Sequence, residues 1–225
     1  MSSILKIHLK TLFVLDSEDR ILSTREPQAS KGPVFFLTRS PVDCVWGIRT
    51  GVPADLAKEL ERLAREEPPI SDYSGPQMHA DGYKSVLEGK IDSGPAFIFP
   101  QAIPRPQDVV LVEDEQLLNR HFSGWMPGEI RAGRAPVMAV MEDCYPVSIC
   151  FCARRSNVAA EAGVQTAAGY TGRGFGSCVT AAWALAVRES GLIPFYSTDW
   201  SNEPSLVLAR KLGLSIYAAD WSISD

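Results

Sequence analysis

The chain has 225 residues, 45% hydrophobic and 22% charged, with a formal net charge of −5. That composition can fill one large core or two smaller ones and excludes collagen-like and disordered chains. The acidic balance gives no overall attraction to nucleic acid or anionic membranes, so neither partner is expected and any polyanion site must be local.

Residues 1–15 are apolar but interrupted by Lys6, His8 and Lys10. They lack the unbroken apolar core of a leader or a membrane span, and the expected location is cytoplasmic. Short β-type runs follow at 12–15, 20–23, 34–38 and 44–49, with Asp16 to Asp19 as a hairpin turn between the first two. A helix is predicted over 53–66, where Leu56, Leu60 and Leu63 share a face and Pro68 and Pro69 forbid continuation. A short helix near 83–88 and a strand at 96–99 complete an α+β first half. Pro100, Pro104 and Pro106 then interrupt any regular element and mark the expected boundary between a domain of residues 1–106 and one of residues 107–225.

The second half alternates more regularly. A strand at 109–112 precedes an amphipathic helix at 115–122. Strands at 137–141 and 147–153 flank a hairpin turn, and a further strand ends near Thr166. A helix at 177–190 stops at Gly191, a strand spans 195–198, a helix at 202–212 stops at Gly213, and a final strand occupies 215–223. This order predicts a mixed central sheet with helices on its faces. The cysteines Cys44, Cys144, Cys150, Cys152 and Cys178 show no CxxC spacing, and His8, His79 and His121 are scattered, so neither a disulfide framework nor a metal site is expected.

The most informative stretch is Glu161 to Ser177, a strand, a glycine-rich turn and the start of an alanine-rich helix. Glycine lets backbone approach a phosphate closely, and a helix N-terminus offers unpaired N–H groups with partial positive charge. A dinucleotide fingerprint is excluded because the third glycine of GxGxxG is missing and Glu189 comes too early for a ribose carboxylate. A P-loop is excluded because no Gly-Lys-Ser/Thr follows.

Thr171-Gly172-Arg173-Gly174-Phe175-Gly176 resembles the coenzyme motif of the GNAT N-acetyltransferase superfamily, Gln/Arg-x-x-Gly-x-Gly/Ala, with Thr171 replacing the usual Gln or Arg. Asn202 to Leu214 resembles the second motif of that superfamily, and together the two cover roughly the C-terminal half. Glycine N-acyltransferase-like enzymes, which carry an extra N-terminal domain, are a similar subgroup. The resemblance implies acetyl-coenzyme A as cosubstrate and transfer of its acetyl group to an amine by direct attack in a ternary complex. It implies a bulged strand whose residues Val164, Gln165 and Thr166 bind the pantetheine through their backbone. Pyrophosphate would rest on the turn, from Thr171 and Gly172 through Arg173, Gly174, Phe175, Gly176 and Ser177, with Asn202 and Ser205 lining the same cleft. Arg173 reads equally well as an exposed turn cation.

Glu161, just before that bulge, is the implied general base, with Asp199, Glu142, Asp143 and His121 as alternatives. The family's tyrosine acid is absent, since Ala209 occupies its place; Ser205, Tyr196 or water remain as proton donors. Phe122 and Trp125 would border the acceptor. A small amine or amino acid is the expected acceptor, and a homodimer is left open. The competing reading is a non-catalytic acyl-CoA-binding or regulatory module.

Overall fold

A computed structural model describes residues 3–225. Its centre is a nine-stranded sheet in the order β4-β3-β11-β5-β10-β9-β8-β7-β6. The strands are β3 (Phe35–Arg39), β4 (Cys44–Ile48), β5 (Lys90–Ile98), β6 (Val109–Leu111), β7 (Met138–Glu142), β8 (Tyr145–Arg155), β9 (Ala159–Thr166), β10 (Ile193–Ser197) and β11 (Ser215–Ser224). Within this sheet every pairing is antiparallel except that of β9 with β10. The remaining strands, β1 (Phe13–Leu15) and β2 (Ile21–Thr24), form a separate hairpin across the Asp16–Asp19 turn, as expected. The mixed sheet with flanking helices agrees with the sequence reading.

The helices are α1 (Ile4–Leu12), α2 (Ala54–Arg65), α3 (Ala80–Val86), α4 (Phe175–Glu189) and α5 (Glu203–Lys211). The first is absent from the sequence prediction, which places only a β-type run near Leu12. Its signal is present nonetheless: Leu5, Leu9 and Leu12 recur at helical spacing and are buried against Phe36, Ala96 and Ala218, and Ser3 caps the helix by accepting from the Lys6 N–H. The predicted amphipathic helix at 115–122 is instead a 3-10 turn, Glu115–Arg120, followed by a wide turn at Ile130–Arg134 interrupted by Gly133 at φ 131°. Trp183 of α4 is fully buried with Val179 and Val187 against Phe99, Val147 and Ala160, forming the largest core.

The boundary expected after residue 106 falls in an irregular connection but does not divide the sheet. The C-terminal strand β11 lies between β3 and β5, and β5 lies between β11 and β10. Strands from both sides of residue 106 therefore share one hydrogen-bonded ladder. Proline breaks a local element, whereas strand partnership is decided by distant chain.

One buried ion pair fastens the loop after α2 to this ladder. Arg39 of β3 and Glu67 are both buried, with Nη1 3.3 Å from Oε2. Glu67 also accepts from the Met78 and His79 N–H groups, each at 3.0 Å, while Arg39 donates to the Gly75 carbonyl at 3.1 Å. Removing one partner leaves an uncompensated buried charge, at a cost of about 3–5 kcal/mol. Arg39→Met should lower the urea midpoint by an equivalent amount with the slope unchanged, whereas an unchanged midpoint would mean that the pair adds nothing.

Candidate functional site

The site is created where the parallel pair parts. β9 and β10 are in register at Ile193↔Ala159, Pro194↔Ala160 and Phe195↔Glu161, and there the pairing ends, while β9 runs on to Thr166 and β10 to Ser197. Beyond Glu161 the edge of β9 facing β10 is open, and unpaired strand edges bind extended ligands through main-chain groups. The bulge expected in β9 lies instead in its neighbour. The register of β8 on β9 jumps between Cys152↔Ala162 and Arg154↔Glu161, so the extra residue is Ala153 of β8, beside the parting.

On the α4 face the opening is a cleft of 620 Å³. Val164, Thr166, Thr171, Gly172, Gly174, Phe175, Gly176, Ser177, Asn202 and Ser205 line it together with Tyr196 and Lys211, so most of the residues implied to bind coenzyme meet in one place. Gly172 and Gly174 have φ of 77° and 84°, values that favour glycine, and a Cβ at either would meet only open space. Gly174 is the N-cap residue of α4, which has no side-chain cap and no acid in its first turn. The N–H groups of Arg173, Gly174, Phe175 and Gly176 have no acceptor among the described residues, but those of Ser177 and Cys178 donate to the Gly174 carbonyl. The cradle therefore ends at Gly176, one residue earlier than expected, with the Ser177 side chain still on its wall.

Two of the residues expected to meet coenzyme turn their side chains elsewhere. The Gln165 side chain is exposed and does not line the cleft, because alternation along β9 turns it away from Val164 and Thr166, so only its backbone, the group expected to bind, is left to the site. The guanidinium of Arg173 points to the β7–β8 hairpin, donating to Glu142 at 2.8 Å and lying 4.5 Å from the Phe175 ring centre. Glu142 is thereby engaged as the partner of Arg173. Asn202 acts as the N-cap of α5, accepting from the Ser205 N–H at 3.3 Å. Burial raises the pKa of the Tyr196 phenol, and a hydrogen bond with Ser205 partly offsets that rise. Ala209, in the place of the family's tyrosine, is fully buried.

The opposite face carries a second cleft of 540 Å³, lined by Ser197, Thr198, Asp199, Asp220, Arg154 and residues of the N-terminal hairpin. Glu161 lies on this face and is only 3% exposed. Ser197 donates to its Oε1, and Arg154 Nη1 stands 3.8 Å from its Oε2. Nearby, the buried His8 donates from Nε2 to Asp220 at 2.8 Å. His8, Arg154, Ser197 and Asp220 were not legible as site residues, since no local motif connects positions so far apart in the chain. His121 lies outside both clefts, edge-on to Tyr170. Phe122 and Trp125 pack with Ile149 and Phe151, and Trp125 also borders a separate hollow beside β6.

Residues 135–219 match the family model described as GNAT acetyltransferase. No curated protein matches the chain. Among solved structures, a putative GNAT acetyltransferase from Novosphingobium aromaticivorans is 19% identical, covering 59% of this chain and 64% of its own, with a TM-score of 0.49. The matched region thus spans under two thirds of that protein. A GCN5-related N-acetyltransferase-like protein from Streptococcus suis is 15% identical over 85% of this chain and 84% of its own, with a TM-score of 0.47. A Drosophila protein from a structural genomics programme is 12% identical over 90% of this chain and 73% of its own, with a TM-score of 0.51, a likeness of fold. The GNAT resemblance read from the two motifs is therefore borne out. No described helix is long and apolar enough to cross a membrane.

His8 makes the stability of the fold pH-dependent in a defined sense. Burial alone would lower its pKa, but the charge of Asp220, the hydrogen bond to it and the charge of Glu161 outweigh burial and raise the value above 6.5. A group that binds its proton more tightly when folded adds stability in full below its unfolded pKa and loses that contribution as pH rises through its folded value. The urea midpoint of the wild type relative to that of His8→Phe should therefore fall as pH rises above 6.5. A difference that stays flat would show that His8 has no such coupling.

Proposed function

Because residues 135–219 match the GNAT acetyltransferases, we propose that the protein is an acetyl-CoA-dependent N-acetyltransferase acting by direct transfer in a ternary complex. The observation that carries this reading is the cleft itself. It combines an uncapped helix N-terminus, glycines whose missing side chains leave open space, and the free edge of β9. These features suit a ligand with a pyrophosphate at one end and an extended amide-bearing arm at the other.

Thr171, Gly172 and the N–H groups of Arg173 to Gly176 hold the pyrophosphate, and the backbone of Val164 to Thr166 holds the arm. Alternation along β9 leaves the Gln165 side chain outside this contact. The cosubstrate supplies an activated acyl carbon: its bond to sulfur breaks as a bond to the amine nitrogen forms, and sulfur leaves with the electron pair. The protein supplies positioning and proton transfer.

Tyr196 is the proposed proton donor to sulfur, with Ser205 orienting its phenol. Its raised pKa keeps the phenol protonated in the resting protein. Glu161 is the proposed acceptor of the amine proton. A non-catalytic acyl-CoA-binding module is the second reading, favoured by the buried Ala209 where the family has a tyrosine. Turnover by the wild type decides between the two.

Ser177→Glu places a carboxylate on the cleft wall while favouring the α4 dipole, so the fold should survive. Calorimetric titration should then show acetyl-CoA binding weakened by about tenfold or more. Unchanged affinity would remove the pyrophosphate assignment. Tyr196→Phe should retain coenzyme affinity and lower turnover by about 10²-fold, the lower end of what a positioned acid contributes. Full turnover in that variant would remove Tyr196 from the reaction, and binding without any turnover in the wild type would favour the module.

A further inference from the structure

The second cleft lies on the α1 side of the sheet, across from the coenzyme cleft, and its charged groups divide into two kinds. Its cations are already engaged. Arg154 donates to Glu26 at 2.6 Å and lies 3.8 Å from Glu161, and Lys31 shares Asp225 with Arg49. Among its acids Asp225 is engaged by Lys31 and Arg49 and Asp92 by Lys90, but Asp220 Oδ1, like Oε2 of Glu161, which does not line the cleft, is buried without a hydrogen-bond partner. Asp199 is held below the usual carboxylate range by the Ser201 hydroxyl and backbone N–H. A buried carboxylate oxygen without a donor favours a cationic donor beside it.

Ser197 connects this cleft to the parting of β9 and β10. Its neighbour Tyr196 faces the coenzyme cleft, whereas Ser197 lines the second one. Glu161 lines neither cleft, but Ser197 donates to its Oε1. Proton transfer from a ligand in the second cleft to Glu161 thus has Ser197 as its intermediary. Gly94 makes the arrangement possible: a Cβ there would collide with the Thr198 carbonyl oxygen, so only glycine lets the chain beyond β10 pack closely on β5 and bring Asp199 to the cleft.

We infer that the second cleft is the acceptor site, that it takes a primary alkylammonium rather than an α-amino acid, and that Ser197 is a catalytic hydroxyl passing the amine proton to Glu161. This rests on the acyl-transfer reading above. The ammonium nitrogen gives a proton to Ser197 Oγ as Ser197 gives its own to Glu161 Oε1, leaving a neutral amine, an intact serine and a protonated Glu161. As the nitrogen bonds to the acyl carbon its second proton passes to the Tyr196 hydroxyl while Tyr196 gives its own to the departing sulfur, leaving the amide, a free thiol, a neutral tyrosine and the protonated Glu161. An amino-acid carboxylate finds no free cation among the described lining residues, and it would face Asp199 and Asp220. Leu12, Phe13 and Thr24 supply an outer wall, which gives the N-terminal elements a part in acceptor access.

The test starts without coenzyme. Calorimetric titration of the full chain with 1,4-diaminobutane, spermidine and glycine should show binding of the first two and none of glycine. Asp199→Asn should weaken amine binding about tenfold, and Ser177→Glu should leave it unchanged. Preference for glycine, no binding of either amine, or indifference to Asp199→Asn would each overturn the acceptor assignment. Acetyl-CoA titration in parallel separates the two levels: intact coenzyme binding with no amine binding removes only this inference, whereas absent coenzyme binding removes the reading beneath it.

With the amine that binds, Ser197→Ala and Glu161→Gln should each reduce turnover by about 10²-fold at unchanged coenzyme affinity. The double variant should be no slower than either single one, Ser197→Thr should restore activity, and both single variants should shift the pH–rate profile alike. Losses that multiply in the double variant, or no loss in Ser197→Ala, would overturn the relay.

Discussion

Everything at this site depends on β9 and β10 parting after the pair Phe195↔Glu161. A continuous sheet would satisfy the backbone of β9 on both sides and leave nothing to bind a ligand. On one side β9 remains paired with β8 as far as Thr166, with Ala153 inserted beside the parting. On the other side β10 stays with β5, through Tyr196↔Phe97 and Ser197↔Ala96. Each strand is thus held by its outer neighbour, and the gap between them survives without either losing its ladder.

Strand alternation then distributes the chemistry. Successive side chains point to opposite faces, so adjacent residues of β10 serve different clefts, Tyr196 with Ser205 on one side and Ser197 with Glu161 on the other. In the proposed reaction a donor to sulfur and an acceptor of the amine proton would stand on opposite sides of the acyl carbon, a separation that two consecutive residues of β10 provide. Glu161 is costly to bury alone, and its surroundings answer this with one neutral donor, Ser197, and one cation, Arg154, which Glu26 also shares.

The N-terminal elements belong to this arrangement. α1 lies over the sheet with His8 edge-on to both Phe195 and Tyr217, its ring centre 5.7 and 5.8 Å from theirs, and donating to Asp220. Pairing of β11 with both β3 and β5 puts Asp220 opposite Thr38 and Gly94, at the floor of the second cleft. A chain cut at residue 106 would lose both neighbours of β11. The first hundred residues complete the sheet on which the site stands.

Local signals in the sequence determined most of the elements and the glycine cradle. Helical spacing at Leu56, Leu60 and Leu63, glycine stops at Gly191 and Gly213, and the run from Thr171 to Ser177 are contiguous features set by short-range sterics and hydrogen bonding. Their spacing sufficed to point to an anion cradle and a family. Tertiary structure alone decided strand order, the strand that carries the extra residue, the turning of Arg173 toward Glu142, and the meeting of His8, Arg154, Glu161, Ser197 and Asp220. Those residues are joined by no period or spacing, because β-sheet pairing brings together segments whose separation along the chain leaves no trace in local composition.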